Sequence, residues 1–197
     1  MESYIERFKE KREKKAEIIV TVDGPSGSGK GTLASHIADM LDLKHFSAGD
    51  VFRSIAEEQG ITHVELAEKA GKEIDLEVDR KTLSRALKET CVVDGRLPSW
   101  VIGEYSDLRI FLTADIEERA RRIAGREGKE ISQVKEDTEK RDRDNRKRYQ
   151  SYYGIDTERR DIYDLVIDNT DMSIEEQNEL VDKVLKQEFP ERYREQN

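Results

Sequence analysis

Residues 17–32 read EIIVTVDGPSGSGKGT: a run of apolar and β-branched residues breaks into glycines and then resumes with helical periodicity. Gly24-Pro25-Ser26-Gly27-Ser28-Gly29-Lys30 has the GxxxxGK spacing of a phosphate-binding loop, and Gly31 and Thr32 follow it. Glycines at 24, 27 and 29 let successive N–H groups turn inward around an anion with no side chain in the way. A helix starting near Lys30 adds its N-terminal dipole, and the Lys30 ammonium can reach the terminal phosphates of a nucleotide. A plain Gly/Ser turn would leave the strand, the lysine and the helix unexplained. Residues 24–32 are therefore expected to hold nucleotide phosphates between a strand and a helix.

The same alternation continues along the chain. KHFSA (44–48), TCVVD (90–94), LRIFLT (108–113) and DLVIDN (164–169) read as further short strands, with helical patterns at 31–43, 50–89 and 115–153. A turn is expected at GKE (128–130), and Ser173 with Glu176 forms a capping-box pattern opening a C-terminal helix. Strands alternating with helices predict an α/β three-layer sandwich around a five-stranded parallel sheet, the P-loop NTPase architecture. Residues 1–16 are charged, with Tyr4, Ile5 and Phe8 at helical spacing, so a solvated N-terminal helix is expected before one domain at 17–197.

The charge balance narrows the ligand. A net charge of −9 over 197 residues disfavours a nucleic-acid polymer or a membrane surface as partner, since both are polyanions. No apolar run approaches the length of a membrane span, and no signal-peptide pattern opens the chain, so a cytoplasmic location is expected. Cys91 is the single cysteine and reads as a small core residue; His36, His45 and His63 have no metal-ligand spacing and read as packing or surface residues. Any bound anion needs a local positive cluster. Segment 117–148 supplies one, with twelve Lys/Arg against nine Asp/Glu. Within it, Arg141 and Arg148 lie two helical turns apart on one face.

Several further motifs resemble the nucleoside monophosphate kinases. GKGT (29–32) is similar to the loop of adenylate kinase and its relatives, and no NKxD guanine motif occurs. SAGDVFR (47–53), DGRLPSW (94–100), RIAGREGK (122–129), RYQSYYGID (148–156) and YDLVIDN (163–169) resemble, in order and spacing, the archaeal type of cytidylate kinase. The resemblance covers about 17–178. It implies ATP and CMP or dCMP as substrates, Mg²⁺ accompanying ATP, and a monomer. It further implies an acceptor-binding region at about 50–89 and a short helical lid at about 119–148. By the same resemblance Ser47, Asp50 and Arg53 belong to the acceptor site, with Arg53 gripping the acceptor phosphate. Gly95 and Arg96 reach the acceptor, and Asp94 and Thr32 serve the metal. Lys30, Arg122, Arg126, Arg141 and Arg148 meet the transferring phosphates. Four features depart from the pattern: Asp94 stands where many relatives have glutamate, though aspartate is the choice in the wider kinase family; the loop is closer to the bacterial form; Asn145 stands where an acid is expected; and Leu97 replaces the base-contacting aspartate of bacterial enzymes. For the base, Asp79 is a candidate partner for the cytosine amine and Arg80 for the ring carbonyl, against an ordinary salt-bridged helix face. Competing readings are an adenylate or other small-metabolite kinase, and an ATP-dependent switch or assembly factor. Arg53 and Arg96 weigh against a switch, which has no second phosphate to hold.

Overall fold

A computed structural model describes residues 4–62, 65, 66 and 71–194. His63 and part of the expected acceptor-binding region fall outside these. Strand β1 (Ile19–Asp23) lies at the centre of a parallel sheet, with β2 (Lys44–Ser47), β3 (Cys91–Gly95), β4 (Leu108–Thr113) and β5 (Leu165–Asp168) in the order β2-β3-β1-β4-β5. The register sets Asp23 beside Gly95 and Phe111, so the loops after β1, β3 and β4 emerge at one edge. In such sheets ligands bind at this edge, beyond the strand ends.

Side-chain alternation builds two cores. Val20, Val22, Val92, Ile110 and Leu112 point to one face, where α1 (Lys30–Leu41) and α7 (Ile174–Glu188) cover them. Ile19, Cys91 and Val93 point to the other, under α2 (Ala48–Glu58), α3 (Lys72–Ala86) and a short α4 (Pro98–Ile102). Cys91 is buried there, and burial pushes its thiol up to about 12, which suits a core residue. Helices α5 (Ile116–Glu127) and α6 (Ile131–Tyr153) pack together across the turn 128–130, with Gly128 capping α5 at φ 65°. No helix among the described residues is long and apolar enough to cross a membrane.

The N-terminal expectation needs correction. Among the described residues of the arm, Tyr4–Lys9 form one 3₁₀ helix, and the chain then runs without helix to Ala16. Phe8 is buried against Tyr153, and the N–H groups of Lys15 and Ala16 donate to the Leu87 carbonyl. Apolar anchoring at Phe8, stronger than any periodic pattern over sixteen residues, ties the arm to the α3–α4 core. Helix α4 was not anticipated; Pro98 at its start follows the DGR turn, a place where proline costs no hydrogen bond.

Candidate functional site

The phosphate loop is shaped by what its glycines touch. A Cβ at Gly24 would stand 2.3 Å from the Leu112 carbonyl oxygen, and one at Gly27 would stand 2.7 Å from that of Arg119. Gly27 and Gly29 also hold φ of +82° and +88°, where a side chain is strained. Lys30 opens α1 and donates to the Pro25 carbonyl at 3.2 Å, so its ammonium folds back over the loop. Burial pulls Lys30 down to about 8, while the facing Asp94 opposes that shift. Below the loop, Asp23 is fully buried. It accepts from the Ser99 N–H and the Tyr163 hydroxyl, both at 3.0 Å, and burial raises it to about 7.

Two cavities open from this edge, and Lys30 and Asp94 line both. The first, about 620 Å³, runs over Gly29, Gly31 and Thr32 toward Arg122, Arg126 and Ile174. Arg122 is held firmly: it pairs with Glu118 at 2.7 Å and donates to Asn169 Oδ1 and to the Asn169 carbonyl, both at 3.0 Å. Arg126 is exposed beside it and pairs with Glu127. Asn169 Nδ2 in turn donates to the Ser28 carbonyl at 3.0 Å, locking the end of β5 to the loop.

The second cavity, about 380 Å³, lies between α3, α6 and the DGR turn. Ser47, Gly95, Arg96 and Asp79 line it, with Tyr149 and Tyr153 from α6. Arg96 donates to Ser26 Oγ at 2.9 Å, and burial depresses its proton affinity. Asp79 accepts a hydrogen bond from the Tyr153 hydroxyl, and burial raises it to about 7. At the outer mouth Arg53, Arg96, Arg141 and Arg148 converge on a shallow hollow. Arg148 pairs with Asp75 at 3.0 Å, and Arg53 pairs with Asp50.

Four sequence-derived candidates are placed differently from the rest. Ser47 and Asp50 form a reciprocal capping box at the start of α2, so the Asp50 carboxylate is engaged by the Ser47 backbone and hydroxyl. Arg80 sits on the exposed face of α3, one residue out of phase with Asp75 and Asp79, and does not line the cavity. Pro25 lies in the loop, its carbonyl turned to Lys30.

Other contacts were not foreseen. His45 Nε2 lies 2.8 Å from Asp94 Oδ1, although the sequence marked that histidine as ordinary. Arg119 is buried and clamps the loop through the Ser26 carbonyl at 3.2 Å and Asp142 at 2.8 Å. No local pattern marks either residue. Each acquires its partner by register between distant strands or by helix packing.

The sheet order, the loop on β1 and the arginine-lined cavities define a P-loop kinase. The same fold occurs in the shikimate kinase from Acinetobacter baumannii in complex with shikimate, with TM-score 0.57 and 15% identity over 92% of this chain and 97% of that one. A protein from Eubacterium ventriosum aligns with TM-score 0.67 and 17% identity, covering 86% of this chain and 99% of its own. The chain belongs to the cytidylate kinase-like family, whose model matches residues 19–171. It is similar to the cytidylate kinase of Haloarcula marismortui, 44% identical over 153 residues, covering 76% of this chain and 80% of that protein. The cytidylate kinase of Staphylothermus marinus is 35% identical over 176 residues, covering 86% and 99% respectively.

Proposed function

We infer that the chain is a cytidylate kinase, moving the γ-phosphoryl group of ATP onto CMP or dCMP to give ADP and CDP or dCDP. The observation that carries this reading is the pair of cavities meeting at Lys30 and Asp94. A hydrolase or switch needs one phosphate site; a phosphotransferase needs two that share an edge. ATP lies over residues 24–32 with its base toward Ile174, and the acceptor enters beneath α3 with its phosphate toward Arg53, Arg96, Arg141 and Arg148.

An acceptor phosphate oxygen attacks the γ-phosphorus in line, and the bond from that phosphorus to the β–γ bridging oxygen breaks. The acceptor oxygen is already ionised, so no strong base is required. Catalysis then rests on alignment and on charge stabilisation by Lys30 and the arginines. Mg²⁺ characteristically takes one or two carboxylates and completes its shell with phosphates and water. The residues fit that habit. Asp94 lines both cavities with one oxygen tied to His45, the Thr32 hydroxyl is exposed in the first, and no group of three His, Cys, Asp or Glu forms a closed cage among the described residues. Asp94 and Thr32 would hold the ion, which would neutralise charge on the β- and γ-phosphates. Helices α2–α3 and the α5–α6 pair are the acceptor-binding part and the lid, closing to exclude water.

The test is ADP release with Mg²⁺ and ATP across CMP, dCMP, UMP and AMP. CMP and dCMP should exceed UMP and AMP by at least ~10-fold in kcat/KM, about 1.4 kcal/mol. If AMP is the best acceptor, an adenylate kinase reading replaces this one. ADP release that no acceptor accelerates would make the protein an ATPase.

A further inference from the structure

Asp75, Asp79 and Thr82 fall at i, i+4 and i+7 on α3, a spacing that stacks them on one face. That face lines the acceptor cavity. Two of the three have unusual surroundings. Thr82 is 1% exposed, and its hydroxyl has no hydrogen-bond partner among the described residues. A buried hydroxyl left unpaired is costly, so its place on a cavity wall marks it as a ligand contact. Asp79 is bonded through one oxygen, Oδ2, which accepts from the Tyr153 hydroxyl. Because Tyr153 donates there, a proton on the carboxyl sits on Oδ1, the oxygen left for a ligand.

We propose that Asp79 and Thr82 are the specificity-determining pair for the acceptor base, with Asp79 Oδ1 donating a hydrogen bond to the unprotonated ring nitrogen of cytosine. Thr82 serves the neighbouring exocyclic group. Its hydroxyl accepts from the cytosine amine and can rotate to donate to the uracil carbonyl, so it binds both bases. Asp79 discriminates. The ring nitrogen N3 of uracil carries a hydrogen, which meets the acid proton donor to donor; once Asp79 ionises, the same hydrogen finds an acceptor and the preference for cytosine fades.

The charges around Asp79 support a titration near neutrality. Burial is the main cause of its rise to about 7; the Tyr153 hydrogen bond opposes it, Asp75 one turn earlier adds to it, and Arg148 of α6 opposes it. Lys30, Asp94 and Arg96 also line the cavity, and Tyr149 and Tyr153 line it from α6. The lining residues from α2 and α4, among them Phe52, Pro98 and Val101, are uncharged.

This inference rests on the cytidylate kinase reading, and its test separates the two. The ratio of kcat/KM for CMP to that for UMP is measured from pH 6 to 8. The monophosphates ionise alike, so their own titration cancels in the ratio. The protonated fraction of a group titrating near 7 falls about tenfold over that range while the ionised fraction rises, so the ratio should fall by at least about tenfold. Asp79→Asn keeps an acceptor for Tyr153 and a permanent donor for the base, so its ratio should stay high and level with pH. Thr82→Val should raise KM for both acceptors several-fold and leave the ratio and its pH dependence unchanged. A level ratio in the unaltered protein, or a sloping one in Asp79→Asn, overturns the assignment while CMP phosphorylation still stands. Failure to phosphorylate any pyrimidine monophosphate overturns both readings.

Discussion

The two cavities share Lys30 and Asp94, yet they are built on opposite principles. On the donor side the backbone does the shaping. Gly24 and Gly27 touch main-chain carbonyls, and Arg119 and Arg122 spend much of their hydrogen bonding on carbonyls of Ser26, Ser28 and Asn169. On the acceptor side the arginines rest on neighbouring acids, Arg53 on Asp50 and Arg148 on Asp75, and Arg141 is exposed. Such part-exposed pairs contribute little, typically under about 1 kcal/mol, so exchanging an internal carboxylate for a substrate phosphate is cheap. On the proposed assignment the donor cradle is already braced by the protein's own backbone, whereas the acceptor clamp is left to regroup around a phosphate.

The sharpest way to break this contrast is at the shared lysine. Lys30→Met should lower kcat by at least ~100-fold, about 2.7 kcal/mol, with CMP binding nearly unchanged. Near-normal turnover in the folded variant would remove the loop from the chemistry. Next in size is the backbone itself. Gly24→Ala forces a Cβ onto the Leu112 carbonyl and should cost about 1–3 kcal/mol of stability, read as a lowered Tm. Gly31, whose added Cβ would meet nothing within 4 Å, is the control: Gly31→Ala should leave Tm almost unmoved. Equal losses at both sites would mean that the cradle is not set by close approach. The smallest effects belong to the acceptor side. Arg53→Ala should raise the KM for CMP by about tenfold, near 1.4 kcal/mol, and spare that for ATP. Arg80→Ala should change either by less than about twofold, because its side chain stands outside the cavity. An Arg53 variant that weakens ATP and spares CMP reverses the assignment of the two halves.

The same division governs what could be read from residues alone. Four of the strands are legible as short apolar runs, and the loop as glycines at a fixed spacing, because both are local patterns; β2, with Phe46 as its one buried residue, is legible only from its place between two helical patterns. The phase of α3 was only half legible. Asp75 and Asp79 share a face by helical geometry, but Arg80 looked equally available until packing chose which face turns inward. Thr82 carries no signal in the sequence; its significance is that no described residue satisfies its hydroxyl once α3 is buried. His45 became a partner of Asp94 through the parallel pairing of β2 with β3, a register that no short window contains. The arm differs from expectation because alternating charge suggests a solvated helix, while a single aromatic anchor, Phe8, fixes where it lies.

That arm also sets an order of events during synthesis on the ribosome. The backbone N–H of Arg12 is held by the hydroxyl of Tyr105, 93 residues further along, and Phe8 packs on Tyr153, later still. At translation rates of about 5–20 residues per second, the first of these partners emerges roughly 5–20 s after the arm does. Docking of the arm closes a long loop, because Phe8 reaches its place against Tyr153 only after the whole of α6 has been made.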